Sequence, residues 1–346
     1  VKKKKETNLQ VVAAAEPEQP AEEVRLTSAQ ARAAQVAVDA NRVKNRLPAD
    51  ATVFNEDCIR GLTKYLGENS IDLTVTSIPF EELFTYSGKL EDVGNNGSTL
   101  NVRNGRFALN LSFVIWQLLR VTKPGRNVCI HIQQLLAYQN QHGFIGRRDF
   151  RGAVIDLFTM GGFHFTGEFV IVKNPQAMAQ RLNLHSLMFV TGKRNSTMLA
   201  PAPNDYVLIF QKPGKPETPV RALYDAKINP AGWVTTNEWV RDAHGIWTDI
   251  QETDVLDGYR SARESEQEKH VCPLQLEVIR RLVFLYSNPG ELVMDPFMGV
   301  GSTAAVAVEE GRNAYGFELK ESYYAQIRGN VRKAKAKVER GVEDRE

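Results

Sequence analysis

Two short stretches carry side chains of the kinds that bind and activate small polar ligands. The first is "DPFMGVGST", residues 295 to 303, which leads from an apolar strand-like run into an Ala-rich, helix-like one. Gly299 and Gly301 in that turn let the backbone bend tightly and let a ligand approach main-chain N–H groups. Glu318 closes the next strand-like run, "NAYGFEL". A carboxylate at that place can accept hydrogen bonds from both hydroxyls of a ribose. The pair points to a nucleoside cofactor. A nicotinamide dinucleotide fits poorly, because Ala304 stands where the third glycine belongs and Asp295 would face a pyrophosphate.

The second stretch is "TSIPF", residues 76 to 80, where the run "IDLTVTS" ends. Ser77 offers a hydroxyl, Ile78 a backbone carbonyl and Phe80 a flat face. A strand exit of this composition could hold a flat polar ligand. Pro79 biases Ile78 toward an extended backbone. Taken alone, "TSIPF" is an ordinary strand exit with Phe80 in the core. The glycine loop downstream gives it a chemical reading.

These residues need a scaffold. Strand-like and helix-like runs alternate from residue 51 to residue 340. That alternation predicts an α/β fold, a Rossmann-like, doubly wound, mostly parallel sheet with helices on both faces. Ligands then belong beyond the carboxyl ends of the strands. The segmentation is a disordered tail over 1–26, a helix over 27–46, a catalytic domain over 47–335 and a charged tail over 336–346. Residues 85 to 106 read as a long polar loop, and 174 to 205 as irregular. The polar segment 214–268 holds Trp233, Trp239 and Trp247, which are expected to pack beneath it.

Composition narrows the classes. The 346 residues carry a formal net charge of only +2, so any nucleic-acid contact must come from local patches. Cys58, Cys129 and Cys272 are far apart, which argues against a zinc site or a disulfide framework and fits a cytoplasmic setting. No metal ligand set is expected. No apolar run is long enough to span a membrane, and "KKKK" at residues 2–5 is followed by no apolar stretch of a secretory signal.

Taken together, the motifs resemble those of the DNA amino-methyltransferases. "DPFMGVGST" resembles that family's S-adenosylmethionine loop, and "GFELKESYY" its ribose-binding motif with Glu318. "TSIPF" resembles its catalytic motif, in which proline normally stands where Ile78 stands here. "FNEDC" is similar to the stretch that brings an acid near the cofactor adenine, and "EKHVCPLQ" to the one covering its methionine end. The catalytic motif precedes the cofactor motif, the permuted order of the family's β group. The resemblance spans about residues 50 to 335.

What it implies is an enzyme moving a methyl group from S-adenosylmethionine to N4 of cytosine or N6 of adenine in a flipped-out DNA base. Ser77, Ile78, Pro79 and Phe80 would form the catalytic edge. Asp57, Cys58, His270, Pro273, Gln275, Asp295, Pro296, Phe297, Gly299, Gly301, Ser302, Thr303 and Glu318 would bind the cofactor. Loss of proline at Ile78 would leave the catalytic loop less preset. The insertion at about 174–265 falls where the group keeps its target-recognition region. Arg103, Arg106, Arg147, Arg148, Arg151, Lys193 and Arg194 are the candidate phosphate contacts on double-stranded DNA. His131 reads as a buried structural residue, not a base. Alkylation of cytosine carbon needs a cysteine that follows a proline, and Cys272-Pro273 has the opposite order. A homodimer and a cognate restriction endonuclease are further partners the resemblance allows. The rival implied by Ile78 is a DNA-binding protein of this fold without turnover; another is an amino-methyltransferase acting on RNA or protein.

Overall fold

Six of the seven positions in Ile71–Ser77 are buried, the mark of a strand covered on both faces. The computed structural model that shows this describes residues 27–80, 92–94, 105–182, 184–257 and 273–343, with side chains to residue 340. The 1–26 tail, Glu81, Glu82, Arg103, His270, Cys272 and most of the 85–106 loop lie outside the described residues.

Ten strands follow in chain order: β1 (Ala51–Phe54), β2 (Ile71–Ser77), β3 (Thr122–Gln133), β4 (Leu135–Ala137), β5 (Gly146–Arg148), β6 (His164–Ile171), β7 (Asp205–Gln211), β8 (Ile246–Trp247), β9 (Leu292–Asp295) and β10 (Asn313–Phe317). Eight of them form one sheet in the order β1-β10-β9-β2-β3-β7-β6-β8, while β4 and β5 pair separately. From β1 to β3 every neighbour is parallel. β7 then enters antiparallel between β3 and β6. The carboxyl ends of β2, β3, β9 and β10 thus share an edge with the first residue of β7, Asp205.

The helices are α1 (Ser28–Lys44), α2 (Cys58–Tyr65), α3 (Arg106–Val121), α4 (Gln139–His142), α5 (Phe150–Met160), α6 (Pro175–Arg181), α7 (Phe189–Arg194), α8 (Thr236–Asp242), α9 (Leu276–Tyr286), α10 (Ser302–Glu309) and α11 (Glu321–Glu343). Leu62, Phe107, Leu111, Leu118, Phe150 and Phe158 from α2, α3 and α5 form the core on one sheet face. Val278, Leu282, Ala304, Ala307, Ile327 and Val331 from α9, α10 and α11 form it on the other. Each large apolar side chain among them, fully buried, contributes roughly 1.5–3 kcal/mol. Two apolar layers around one mainly parallel sheet are the doubly wound architecture expected from the alternating elements.

Three expectations change. Residues 174–205 are not irregular: they hold α6, α7 and two 3-10 turns, His185–Leu187 and Ser196–Met198. Asn174 caps the first of these helices by accepting from the N–H groups of Gln176 and Ala177. α11 continues to Glu343 without a break at residue 336, because its charged residues are spaced around a helix with no glycine pair or proline to end it. Trp233 and Trp247 are buried and donate to the carbonyls of Phe284 and Asp242, but Trp239 stays 44% exposed on α8. α1 is clasped to this segment, with Asn41 and Arg42 donating to the carbonyls of Pro230, Gly232 and Trp233.

Candidate active site

A cavity of about 210 Å³ opens at the carboxyl edge of the sheet. Ser77, Ile78, Pro79 and Phe80 line it from the end of β2, and Asp295, Pro296, Phe297, Gly299, Ser302 and Thr303 from the β9–α10 turn. Asp57, Cys58, Pro273, Gln275 and Glu318 complete the wall. The two motifs are therefore brought to one space from opposite halves of the chain. Gly301 stands behind the wall: it precedes α10 at a φ of 93°, and a Cβ there would press on Ile327.

Gly299 has the backbone that the turn requires, with a φ of 54°, and no heavy atom lies within 4 Å of a Cβ built on it. A left-handed turn open on one side leaves room for a ligand against the main chain. Its N–H donates to Glu318 Oε2 at 2.7 Å, and the N–H of Lys320 donates to Oε1 at 2.7 Å. Burial pushes the Glu318 carboxyl up to about 7, with Asp295 and Asp92 adding to the rise and the two N–H donors opposing it.

Asp295 is saturated by the protein. Thr76 donates to Oδ1 at 2.6 Å, the Phe297 N–H to Oδ1 at 2.9 Å and Thr303 to Oδ2 at 2.8 Å. Burial raises its carboxyl to about 6, against the pull of those donors. Its geometry is that of a brace joining β2, the turn and α10. Asp57 caps α2 by accepting the Arg60 N–H at 2.9 Å. Cys58 lines the cavity but is buried, and burial pushes its thiol, like that of Cys129, far above the usual thiol range. A thiol held neutral is a poor nucleophile.

Ile78 is tied down in a way its sequence context does not announce. Its side chain is only 2% exposed and joins the core cluster that includes Phe107, Leu111 and Phe150. Phe80 is partly buried, tilted against His131 and edge-on to Phe150.

Several wall residues were not singled out from sequence. His131 and Gln133 come from β3, Asp205 from β7 and Arg181 from α6; Asp92, Val93 and Glu56 also line the cavity. His131 is buried as expected, yet its Nδ1 lies 2.9 Å from Ser77 Oγ and its Nε2 3.2 Å from Asp205. The parallel pairing of Ser77 with His131 dictates that contact, and nothing local in "CIHI" announces it.

The basic residues divide. Arg148 is buried and donates to the Leu136 carbonyl. Arg151 makes two hydrogen bonds to Glu168 and lies over Tyr206. Arg148 is thus taken up inside the protein, and Arg151 by a partly exposed pair with Glu168. Lys193 and Arg194 at the end of α7, and Arg106 at the start of α3, are exposed. Arg147 is partly buried and donates to the Pro201 carbonyl.

Comparison with known proteins places this geometry. Residues 71–329 match the model of the DNA methylase family. The Type II methyltransferase M.MthZI of Methanothermobacter thermautotrophicus is 25% identical over 279 residues, covering 77% of this chain and 72% of the relative. Among solved structures, TTHA0409 of Thermus thermophilus in complex with S-adenosyl-L-methionine superposes with a TM-score of 0.58 at 20% identity, over 83% of this chain and 96% of that one. PvuII DNA methyltransferase, described as cytosine-N4-specific, does so with a TM-score of 0.53 at 18% identity, over 86% and 94%. These two share the fold. The match over most of the chain, including both motifs in their permuted order, makes this protein a member of the DNA methylase family, an S-adenosylmethionine-dependent methyltransferase acting on exocyclic amines of DNA.

Proposed function

We propose that the edge Ser77–Phe80 holds the amine of a flipped-out base while the β9–α10 turn and Glu318 hold the cofactor. The observation that carries this reading is that both motifs line a single cavity. The residues fit S-adenosylmethionine in kind. Gln275 Oε1 and Ser302 Oγ are buried on the cavity wall with no hydrogen-bond partner among the described residues, as groups awaiting a polar ligand would be. Glu318 receives the ribose hydroxyls, Asp57 lies on the adenine side, and Gln275 and Ser302 meet the amino-acid end. Bound there, the cofactor supplies an electrophilic methyl group on a sulfonium.

The chain's own part is positioning and electrostatics. Ser77 Oγ and the Ile78 carbonyl accept hydrogen bonds from the two amine N–H groups, turn the nitrogen lone pair toward the methyl and stabilise the charge that develops on nitrogen. Phe80 stacks on the ring of the extruded base. The exposed pair Lys193 and Arg194, with Arg106, contacts phosphates of a DNA duplex, and the insertion at about 174–265 reads the target sequence. Serine at the first motif position inclines the reading to N4 of cytosine over N6 of adenine. A restriction endonuclease of the same specificity is the partner activity, and the cytoplasm the place of work.

Expression in a host free of DNA methylation, followed by sequencing that detects modified bases, tests this. The expected result is one modified base within one short sequence. Cofactor binding without any modification would overturn it in favour of a DNA-binding protein without turnover.

A further inference from the structure

Ser77 differs from a carboxylate in one respect that matters for this chemistry. A hydroxyl can donate as well as accept, so its proton must be directed away from the amine if it is to act as an acceptor. The structure contains the means to direct it.

Pleating puts Ser77 and His131 side by side on one face of neighbouring parallel strands. His131 pairs with Val207 on the antiparallel side, which sets Asp205 on the same face two residues away along β7. Asp205 is 6% exposed and is surrounded by donors. Lys173 Nζ lies 2.8 Å from Oδ2, Gln133 Nε2 donates to Oδ1 at 2.8 Å, and His131 Nε2 lies 3.2 Å from Oδ2. With the Lys173 ammonium on Oδ2 and the Gln133 amide on Oδ1, Asp205 is held as an anion and accepts only.

That fixes the polarity of the chain of hydrogen bonds. His131 Nε2 must carry a proton and give it to Asp205. In the neutral imidazole Nδ1 is then a bare acceptor. With that tautomer Ser77 Oγ, 2.9 Å from Nδ1, is the donor of the pair. Its lone pairs are left facing the cavity.

We propose that His131 and Asp205 are positioning residues that make Ser77 an obligate acceptor for the amine of the target base, so that a serine performs the task of a carboxylate. The proposal rests on the reading of Ser77 as the amine-facing group. Lys173 and Gln133 hold Asp205 in place, and the antiparallel entry of β7 brings it there.

The experiment compares kcat, KM for DNA and cofactor Kd in wild type, Ser77→Ala, Asp205→Asn, His131→Leu and His131→Gln. Asn at 205 can donate to Nε2, which moves the imidazole proton to Nδ1 and turns Ser77 into a donor. The expected outcome is a kcat lower by roughly 10- to 100-fold in Asp205→Asn and His131→Leu, the worth of one hydrogen bond to a developing charge. Cofactor Kd stays within about threefold, since neither residue is assigned a cofactor contact. Gln at 131 can donate to Asp205 and accept from Ser77, so His131→Gln recovers at least about tenfold of what His131→Leu loses. The decisive arm is Ser77→Asp, alone and with Asp205→Asn. A carboxylate at 77 accepts whatever the relay does, so Asp205→Asn no longer lowers kcat in that background. Full activity in Ser77→Ala would sink the amine-facing reading itself. A large loss in Ser77→Ala with none in Asp205→Asn and His131→Leu would overturn the relay alone. If Asp205→Asn does not fold, the contrast between His131→Gln and His131→Leu decides, equal losses counting against the relay.

Discussion

Thr76 donates its hydroxyl to Asp295 across 2.6 Å, and this bond ties the end of β2 to the end of β9 at the cavity. The residue after Thr76 is Ser77, and the turn after Asp295 leads to Gly299. A displacement on one side of the site is thereby felt on the other. Thr303 and the Phe297 N–H complete the set of donors to Asp295.

Replacing Asp295 by Ala strips the Thr76 hydroxyl and the Phe297 N–H of this acceptor and leaves Thr303 with the Val75 carbonyl alone. Each such loss is worth about 1–3 kcal/mol. Asp295→Ala is expected to lose measurable cofactor binding by calorimetry and to lower the urea midpoint by an amount equivalent to several kcal/mol. Retained binding with a lowered midpoint would confine Asp295 to a structural role.

The two buried acids make stability depend on pH. Their carboxyls are raised, Asp295 to about 6 and Glu318 to about 7. An acid with a raised value binds its proton more tightly in the folded state than in the unfolded chain. Stability of the free protein therefore falls as pH rises from the ordinary carboxylate range through about 7. Glu318→Gln should flatten that fall. Cofactor affinity runs the other way, because ionised Glu318 is the acceptor for ribose, and it strengthens as pH rises toward about 8. Urea midpoints and Kd measured across this interval check both slopes; a pH-independent Kd would detach Glu318 from the ribose.

Ser302 has a buried hydroxyl with no hydrogen-bond partner among the described residues. Ser302→Ala removes an unsatisfied group, so the melting temperature should hold or rise. If the hydroxyl serves the cofactor, Kd should weaken by roughly tenfold, one hydrogen bond's worth. Thermal melts and calorimetry on the same variant separate the two effects. An unchanged Kd would leave that hydroxyl outside the cofactor site.

Phe80 packs beside His131 and Phe150 and also lines the cavity. Stacking on a base is worth about 1–3 kcal/mol. Phe80→Ala should spare cofactor binding and cut methyl transfer by about 10- to 100-fold, more at low DNA concentration. Full activity in a labelled-methyl assay would contradict the base pocket drawn here.

The basic residues should separate in salt titrations. Lys193→Ala with Arg194→Ala is expected to lower the slope of log affinity against log salt by nearly 2, about 0.9 for each phosphate no longer neutralised. Arg151→Ala should leave the slope alone. Its bond to Glu168 is partly exposed, so the stability loss is about 0.5–1 kcal/mol. Fluorescence anisotropy on a duplex at several salt concentrations distinguishes them.

The sheet class and the glycine loop after β9 are legible in the amino-acid order alone. They rest on local rules: alternating apolar periodicity, glycines where the turn needs a positive φ, and an acid at the next strand end. Gly299 and Gly301 hold those left-handed conformations. The helices of residues 174–205 are not legible in this way, because they are short and depend on caps such as Asn174 more than on apolar spacing.

The remaining features come from packing between distant segments. The Leu136 carbonyl that accepts from Arg148 and the Glu168 that accepts from Arg151 are brought there by the fold. So is the core cluster that receives the Ile78 side chain. His131 and Asp205 are 74 positions apart and become partners only because β7 inserts antiparallel beside β3. Which strands are neighbours is a property of the whole packed sheet, and no local spacing encodes it.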